Sequence, residues 1–294
     1  MAGIDMHAHL APRHDLAPIS SDVPSALYDP DELARWLDLT GFAEAVVSVP
    51  PPFFRQHLPE EAAARWVEVV NDGICAAVRG YPRLRPLGYL PLEHPELAVA
   101  EYERLCGLPV VGVCGSAGGG SVSLADPRFA PLWRALDRDG RMLMLHPGTA
   151  PDPRLKAFYL ANLLGNPTET ALAAAQLIFG DVLARHPGMR VLLVHCGGAV
   201  PAMIGRWQRG YDTSRPGIKP LLEPPREMVR RLYVDCLAHD PLLVRHAVAV
   251  FGPDKLVVGS DWPFAMGLDD PRGQIRDLGL DDAVTANAVR LLGL

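Results

Sequence analysis

Short runs of apolar and β-branched residues alternate with longer stretches whose apolar positions recur every three or four residues, and the alternation continues to the end of the chain. The runs predict strands over 3–7, 44–49, 84–91, 109–114, 141–146, 190–195, 232–237 and 255–260. Between them the helical period predicts helices over 30–39, 60–79, 96–105, 127–139, 168–186, 201–209, 241–251 and 281–292. Val191, Leu192, Leu193 and Val194 are apolar on both faces, as parallel strands covered by helices are. Asp126 before Pro127 and Asp240 before Pro241 read as N-caps followed by proline at the first helical position. Eight strand–helix units predict an α/β fold, a (β/α)8 TIM barrel forming one domain over 1–294, with an open doubly wound sheet as the rival. No glycine-rich nucleotide fingerprint follows a strand, and Gly118, Gly119 and Gly120 lead into a loop.

Composition narrows the class. The chain has 294 residues, 49% of them hydrophobic and 21% charged, which suits a large buried core. A formal net charge of -6 leaves no basic footprint, so neither nucleic acid nor a membrane surface is expected as a partner. The 5 cysteines are scattered and never form a CxxC pair, which predicts a reducing, cytoplasmic setting. The first residues show no basic segment followed by an apolar one, so no secretory signal is expected, and no apolar run is long enough to span a bilayer. Two stretches, 147–167 and the proline-rich 210–226, are longer than usual connections and read as lids, subunit contacts or plain surface excursions.

The histidines fall at particular places in this pattern. His7 and His9 alternate at the end of the first run, His146 closes the fifth, His195 the sixth, and Asp261 follows the eighth. In a barrel these positions converge on the C-terminal mouth, where active sites are built. Imidazoles with a carboxylate suit a borderline divalent ion such as zinc. His14, His94, His186, His239 and His246 read as structural or surface residues, with His239 on the same predicted face as the others.

The segments Ile4–His9, Leu145–Pro147, Val194–Gly198 and Gly259–Phe264, supported by 126–129, 165–170 and 205–206, resemble the amidohydrolase superfamily. Within it they are similar to the branch of aminocarboxymuconate-semialdehyde decarboxylase and its metal-dependent relatives. The resemblance implies a distorted (β/α)8 barrel holding one divalent ion, zinc first, with manganese or iron as alternatives. It implies His7, His9, His146 and Asp261 as ligands and His195 as a base beside a water on the ion, with Asp261 in a second, catalytic role as holder of a water proton. Relatives with two ions use a lysine or glutamate at the end of strand four; here that strand ends Val113, Cys114, Gly115, so one ion is expected.

The same resemblance marks Arg206, eleven residues after His195, as a carboxylate clamp reaching a neighbouring subunit, which implies a homodimer. The branch's second arginine is missing from 20–24, and Arg55, in the 50–57 loop, is the candidate replacement. Cys196 alternates with His195 and is expected to point away from the mouth, so it is not read as a nucleophile. The leading expectation is non-oxidative decarboxylation of a small unsaturated or aromatic carboxylic acid. The alternative is hydrolysis of an amide, ester, thioester or C–C bond at the same site, and a silent metal-binding scaffold is the reading from another class.

Overall fold

The structure, a computed structural model, describes residues 3–13, 23–118 and 122–294. His14, the 20–22 part of the stretch lacking an arginine, and Gly119 and Gly120 lie outside the described residues. Strands β1 (Ile4–His9), β2 (Glu44–Ser48), β3 (Leu84–Leu90), β4 (Gly112–Ser116), β5 (Met142–His146), β6 (Arg190–Leu193) and β7 (Tyr233–Val234) pair in chain order, all parallel, into one seven-stranded sheet. Helices α1 (Pro30–Thr40), α2 (Glu60–Ala77), α3 (Pro95–Leu105), α4 (Ala130–Asp139), α5 (Asn166–Phe179), α6 (Val182–Arg185), α7 (Val200–Asp212), α8 (Pro225–Val229), α9 (Pro241–Phe251) and α10 (Asp281–Leu292) alternate with them.

The sheet curls because the segment after α9 touches both of its ends. Val234 bridges Leu256 and Ala8 bridges Trp262, both in parallel. The Val257 N–H donates to the Val234 carbonyl at 2.9 Å, and the Met6 N–H to the Val258 carbonyl at 2.8 Å. Every residue of β1 is buried, and the strand's period of two puts Asp5, His7 and His9 on one side and Ile4, Met6 and Ala8 on the other. Three buried polar side chains in a row on one face are unusual in a core and point to a site.

Local signals explain the helix starts. Asp29 accepts the Glu32 N–H ahead of α1, which ends at the left-handed Gly41. Asp240 accepts the Leu242 N–H ahead of α9, as its pairing with Pro241 predicts. Asp126 caps a short 3-10 turn, Pro127–Phe129, rather than α4 itself.

Several boundaries differ from expectation. β1 runs on through His9, and β6 stops at Leu193. The fourth strand begins at Gly112 because Pro109 has no N–H and Val110 turns back onto the Leu108 carbonyl. The stretch 232–237 yields only a two-residue strand, and 255–260 contributes a single bridge, at Leu256, its first residue lying in the turn Pro253–Lys255. The long helix over 168–186 breaks at Gly180 and the left-handed Asp181 into α5 and α6.

Candidate metal centre

His7 and His9 come from β1, His146 from the last position of β5, His195 from the turn after β6, and Asp261 from the loop that bridges to β1. The rings of His7, His9 and His146 form a triangle with every centroid separation at 5.1 Å. His195 joins at 5.3 Å from His7 and 5.0 Å from His146. Asp261 Oδ1 lies 3.0 Å from His9 Nε2 and 3.4 Å from His7 Nε2, while its Oδ2 lies 3.7 Å from His195 Nε2. His7, His146, His195 and Asp261 each offer a donor atom within 4.8 Å of the others.

The outer nitrogens of the rings are already engaged. His7 Nδ1 donates to Asp235 Oδ2 at 2.8 Å and His146 Nδ1 to the Pro147 carbonyl at 2.8 Å. His9 Nδ1 faces Ser48 Oγ at 3.1 Å. Because a carboxylate and a carbonyl only accept, His7 and His146 in their neutral forms carry the proton on Nδ1 and aim a bare Nε2 inward. Correspondingly, His7 Nε2, His9 Nε2, His146 Nε2 and Asp261 Oδ1 are buried without a hydrogen-bond partner. Four converging, unsatisfied donor atoms of nitrogen and carboxylate type fit one divalent cation, and their isolation would otherwise be costly.

Electrostatics agrees with that fit. Burial lowers the pKa of His9, and it takes His146 well below the usual histidine range, with His195, His9 and His7 adding to the effect; both rings are therefore neutral donors. Burial also disfavours a charged His7, but Asp261 and the hydrogen-bonded Asp235 outweigh it and raise its pKa. Burial opposes ionisation of Asp261 too, yet His7, His195 and His9 hold it well below the ordinary carboxylate range.

The cluster opens onto a cavity of about 340 Å³ walled by Pro51, Pro52, Tyr159, Asn162, Asn166 and Phe264, among others. A second chamber of about 290 Å³ shares His195, Asp261, Asn162 and Asn166 with it and extends to His239 and Leu243. Tyr159 and Asn162 were not singled out from the sequence, where the excess length of the 147–167 stretch was the signal for them; Asn166 falls in the 165–170 segment that supports the family resemblance. The 210–226 stretch lines neither chamber, and its Leu222 N–H donates to Asp181. Of the remaining histidines, His94 and His246 bond the Leu58 and Pro201 carbonyls.

The structure does not bring the two arginines to this cavity. Arg55 lies over the Trp66 ring, 3.8 Å from its centroid, and Arg206 is exposed on α7. Neither lines the chambers. Cys196 is buried behind His195, and burial pushes its thiol well above the usual range, so it is no nucleophile.

A curled parallel sheet whose strand ends gather histidines and an aspartate around bare donor atoms defines a metal-binding α/β enzyme. The chain belongs to the amidohydrolase family, which it matches over residues 4–294. It is 29% identical to a 2-amino-3-carboxymuconate-6-semialdehyde decarboxylase of Dictyostelium discoideum, over 93% of this chain and 79% of that one. It is 27% identical to a gamma-resorcylate decarboxylase of Rhodococcus jostii, over 71% and 70% of the two chains. In fold it is similar to a 5-carboxyvanillate decarboxylase of Novosphingobium aromaticivorans, solved with manganese and 4-hydroxy-3-methoxy-5-nitrobenzoic acid, with a TM-score of 0.87, 20% identity and coverage of 100% and 96%. These likenesses place the chain in the decarboxylase branch of the family. Among the described residues no helix is long and apolar enough to cross a membrane.

Proposed function

We propose that this enzyme is a carboxy-lyase that releases carbon dioxide, without redox chemistry, from a small aromatic or unsaturated carboxylic acid. The observation that carries the reading is the set of four buried donor atoms without hydrogen-bond partners, two of them on His146 and Asp261, which line a cavity of about 340 Å³. His7, His9, His146 and Asp261 are the proposed ligands of one divalent ion and His195 the proposed base. Zinc is the expected ion, with manganese the alternative that the Novosphingobium structure supports. When bound, the ion supplies a positive charge for an anionic substrate and acidifies water toward neutrality.

The chain's own residues account for the rest. His195 lines the cavity with its Nε2 3.7 Å from Asp261 Oδ2, which supports a role in holding a proton and delivering it to carbon. The carbon–carboxyl bond breaks, its electron pair stays on the substrate carbon, and that proton replaces the lost carboxyl. Phe264 packs edge-on against His9 at 5.3 Å and forms part of the cavity wall. Asn162 and Asn166 present amides to the substrate's remaining polar groups.

The proposal includes the closed eight-unit barrel, as a single domain over 1–294, which the bridges of 256–262 to β7 and β1 support. It also includes a cytoplasmic homodimer in which Arg206, exposed on α7, serves the partner's site. The hydrolase reading is not favoured, since the relatives named above are decarboxylases. The test is a screen of hydroxybenzoate-like and muconate-like acids alongside amide and thioester analogues in 18O-labelled water, with elemental analysis of the same sample. Carbon dioxide, a solvent-derived proton on carbon and about one ion per chain are expected. Label entering an organic carboxylate without carbon dioxide overturns the lyase reading, and two ions per chain overturn the mononuclear site.

A further inference from the structure

Asp235 follows directly on β7, is completely buried, and belongs to neither the proposed ligand set nor the cavity wall. Its carboxylate receives four N–H donors. Oδ2 accepts from the His7 ring at 2.8 Å and from the His195 backbone at 3.1 Å. Oδ1 accepts from the Cys196 backbone at 2.7 Å and the Leu237 backbone at 3.1 Å. Four donors saturate the two oxygens of an ionised carboxylate, and any acid-to-amide change leaves part of this set unanswered.

The partners are what make this arrangement informative. His195 and Cys196 both sit at φ 55, in the left-handed region that residues with side chains seldom occupy. Their successive N–H groups form a concavity, and the Asp235 carboxylate fills it. One side chain thus holds the ring of a strand-one histidine and the backbone of the turn that carries His195. The 256–262 segment, which runs past both, makes room for the contact. A Cβ on Gly259 would come within 2.7 Å of the His7 Cβ and 2.9 Å of the Asp235 Cβ, so only glycine allows the two to meet.

We propose that Asp235 is the positioning residue of the centre: it fixes His7 in the tautomer with a bare Nε2 and locks the left-handed turn that presents His195 to Asp261. The proposal rests on the reading of His7 as a ligand. In Asp235→Asn, one orientation of the amide sets an N–H against His7 Nδ1 and forces the proton onto Nε2, where it blocks ligation. The other orientation leaves the Cys196 and Leu237 N–H groups facing a donor.

The experiment compares the wild type with Asp235→Asn, Asp235→Glu, Gly259→Ala and Asp5→Asn. Asp5 is the matched control, a fully buried carboxylate that bonds the His7 and Ser260 N–H groups and the Ser260 hydroxyl but no histidine ring. Zinc affinity is read by chelator competition, Co2+ coordination by its visible spectrum, and folding by Tm of the metal-free protein. Asp235→Asn is expected to weaken zinc about 10- to 100-fold, the usual effect of removing a ligand's carboxylate partner, and to shift the Co2+ bands. Gly259→Ala should act in the same direction by wedging the pair apart, and Asp235→Glu should restore part of the affinity. Asp5→Asn should lower Tm without a comparable loss of affinity.

Wild-type affinity and spectrum in Asp235→Asn overturn the proposal, as does an equal loss of affinity in Asp5→Asn at equal Tm. If Asp235→Asn does not fold, nitrogen-15 NMR of the wild-type His7 ring decides. A proton on Nδ1 in the metal-free neutral ring is expected, and a proton on Nε2 overturns the proposal. That readout needs no bound ion, so its failure is distinct from a failure of the ligand reading, which would show as a wild type that takes up no metal.

Discussion

At the scale of single residues the site divides into atoms with partners and atoms without. Three inward imidazole nitrogens and Asp261 Oδ1 are buried without a hydrogen-bond partner, whereas the outer nitrogens of the same rings are engaged. His195 differs from them, being partly exposed and bordering both chambers. This difference predicts separable phenotypes. His195→Asn should retain near-stoichiometric metal and lose on the order of 10²–10⁴-fold in turnover, the usual worth of a general base. His146→Ala should lose the ion and, with it, the stability linked to binding. Metal content and turnover measured on the same samples check both; a metal-free His195→Asn would make His195 a ligand. The convergence of all five residues was legible in the sequence because they fall at the same ends of four apolar runs, and the roles proposed for them came from the family resemblance. Asp235 was not, since a lone aspartate in 232–237 has no pattern of its own and gains meaning only from His7, 228 positions earlier.

Elements are joined to one another through a few buried polar ties. Asn71 on α2 donates to the Tyr89 carbonyl at 2.9 Å and accepts the Tyr89 N–H at 2.6 Å, so the helix is clamped to β3. Its amide also donates to Glu101 on α3 at 2.6 Å. Asn71→Ala removes all three bonds and leaves the Tyr89 backbone groups buried without that partner. A loss of about 1–3 kcal/mol is expected for such an orphaned group, seen as a lower urea midpoint with an unchanged slope. A variant as stable as the wild type would show that water or a shifted strand satisfies Tyr89 instead. Strand and helix identities were legible from periodicity, but their ends were not, because ends are set by tertiary bonds. β1 extends through His9 since the His9 N–H donates to the Trp262 carbonyl, a partner 253 residues away. The helix break at Asp181 is likewise answered from a distance, as its carboxylate accepts the Leu222 N–H.

The whole molecule shows its electrostatics in how stability depends on pH. The chain order of the strands and their shared mouth followed from eight alternating units, whereas the 256–262 segment proved to be held by bridges rather than by a regular strand. Near that mouth, past the end of β3, Glu93 is largely buried beside Tyr89, and its Oε2 meets no hydrogen-bond partner. Burial raises its pKa from 4.5 to about 7, with Tyr89 and His94 only partly offsetting the effect. A carboxyl whose folded pKa lies above its unfolded value binds more protons when folded. Its effect on stability is therefore nil below about 4.5, grows steadily more unfavourable as pH rises toward 7, and is constant above that. The gap corresponds to at most about 3 kcal/mol. Asp5 is raised to about 7 as well, again by burial, so the wild-type slope contains both groups, but the difference between wild type and Glu93→Gln isolates one. Glu93→Gln should match the wild type near pH 4.5 and exceed it in stability at pH 8, with the gain developing between those values. Denaturant unfolding of both proteins across that range checks the sign, and a difference that does not vary with pH would show that Glu93 ionises in the folded protein as readily as it does in water.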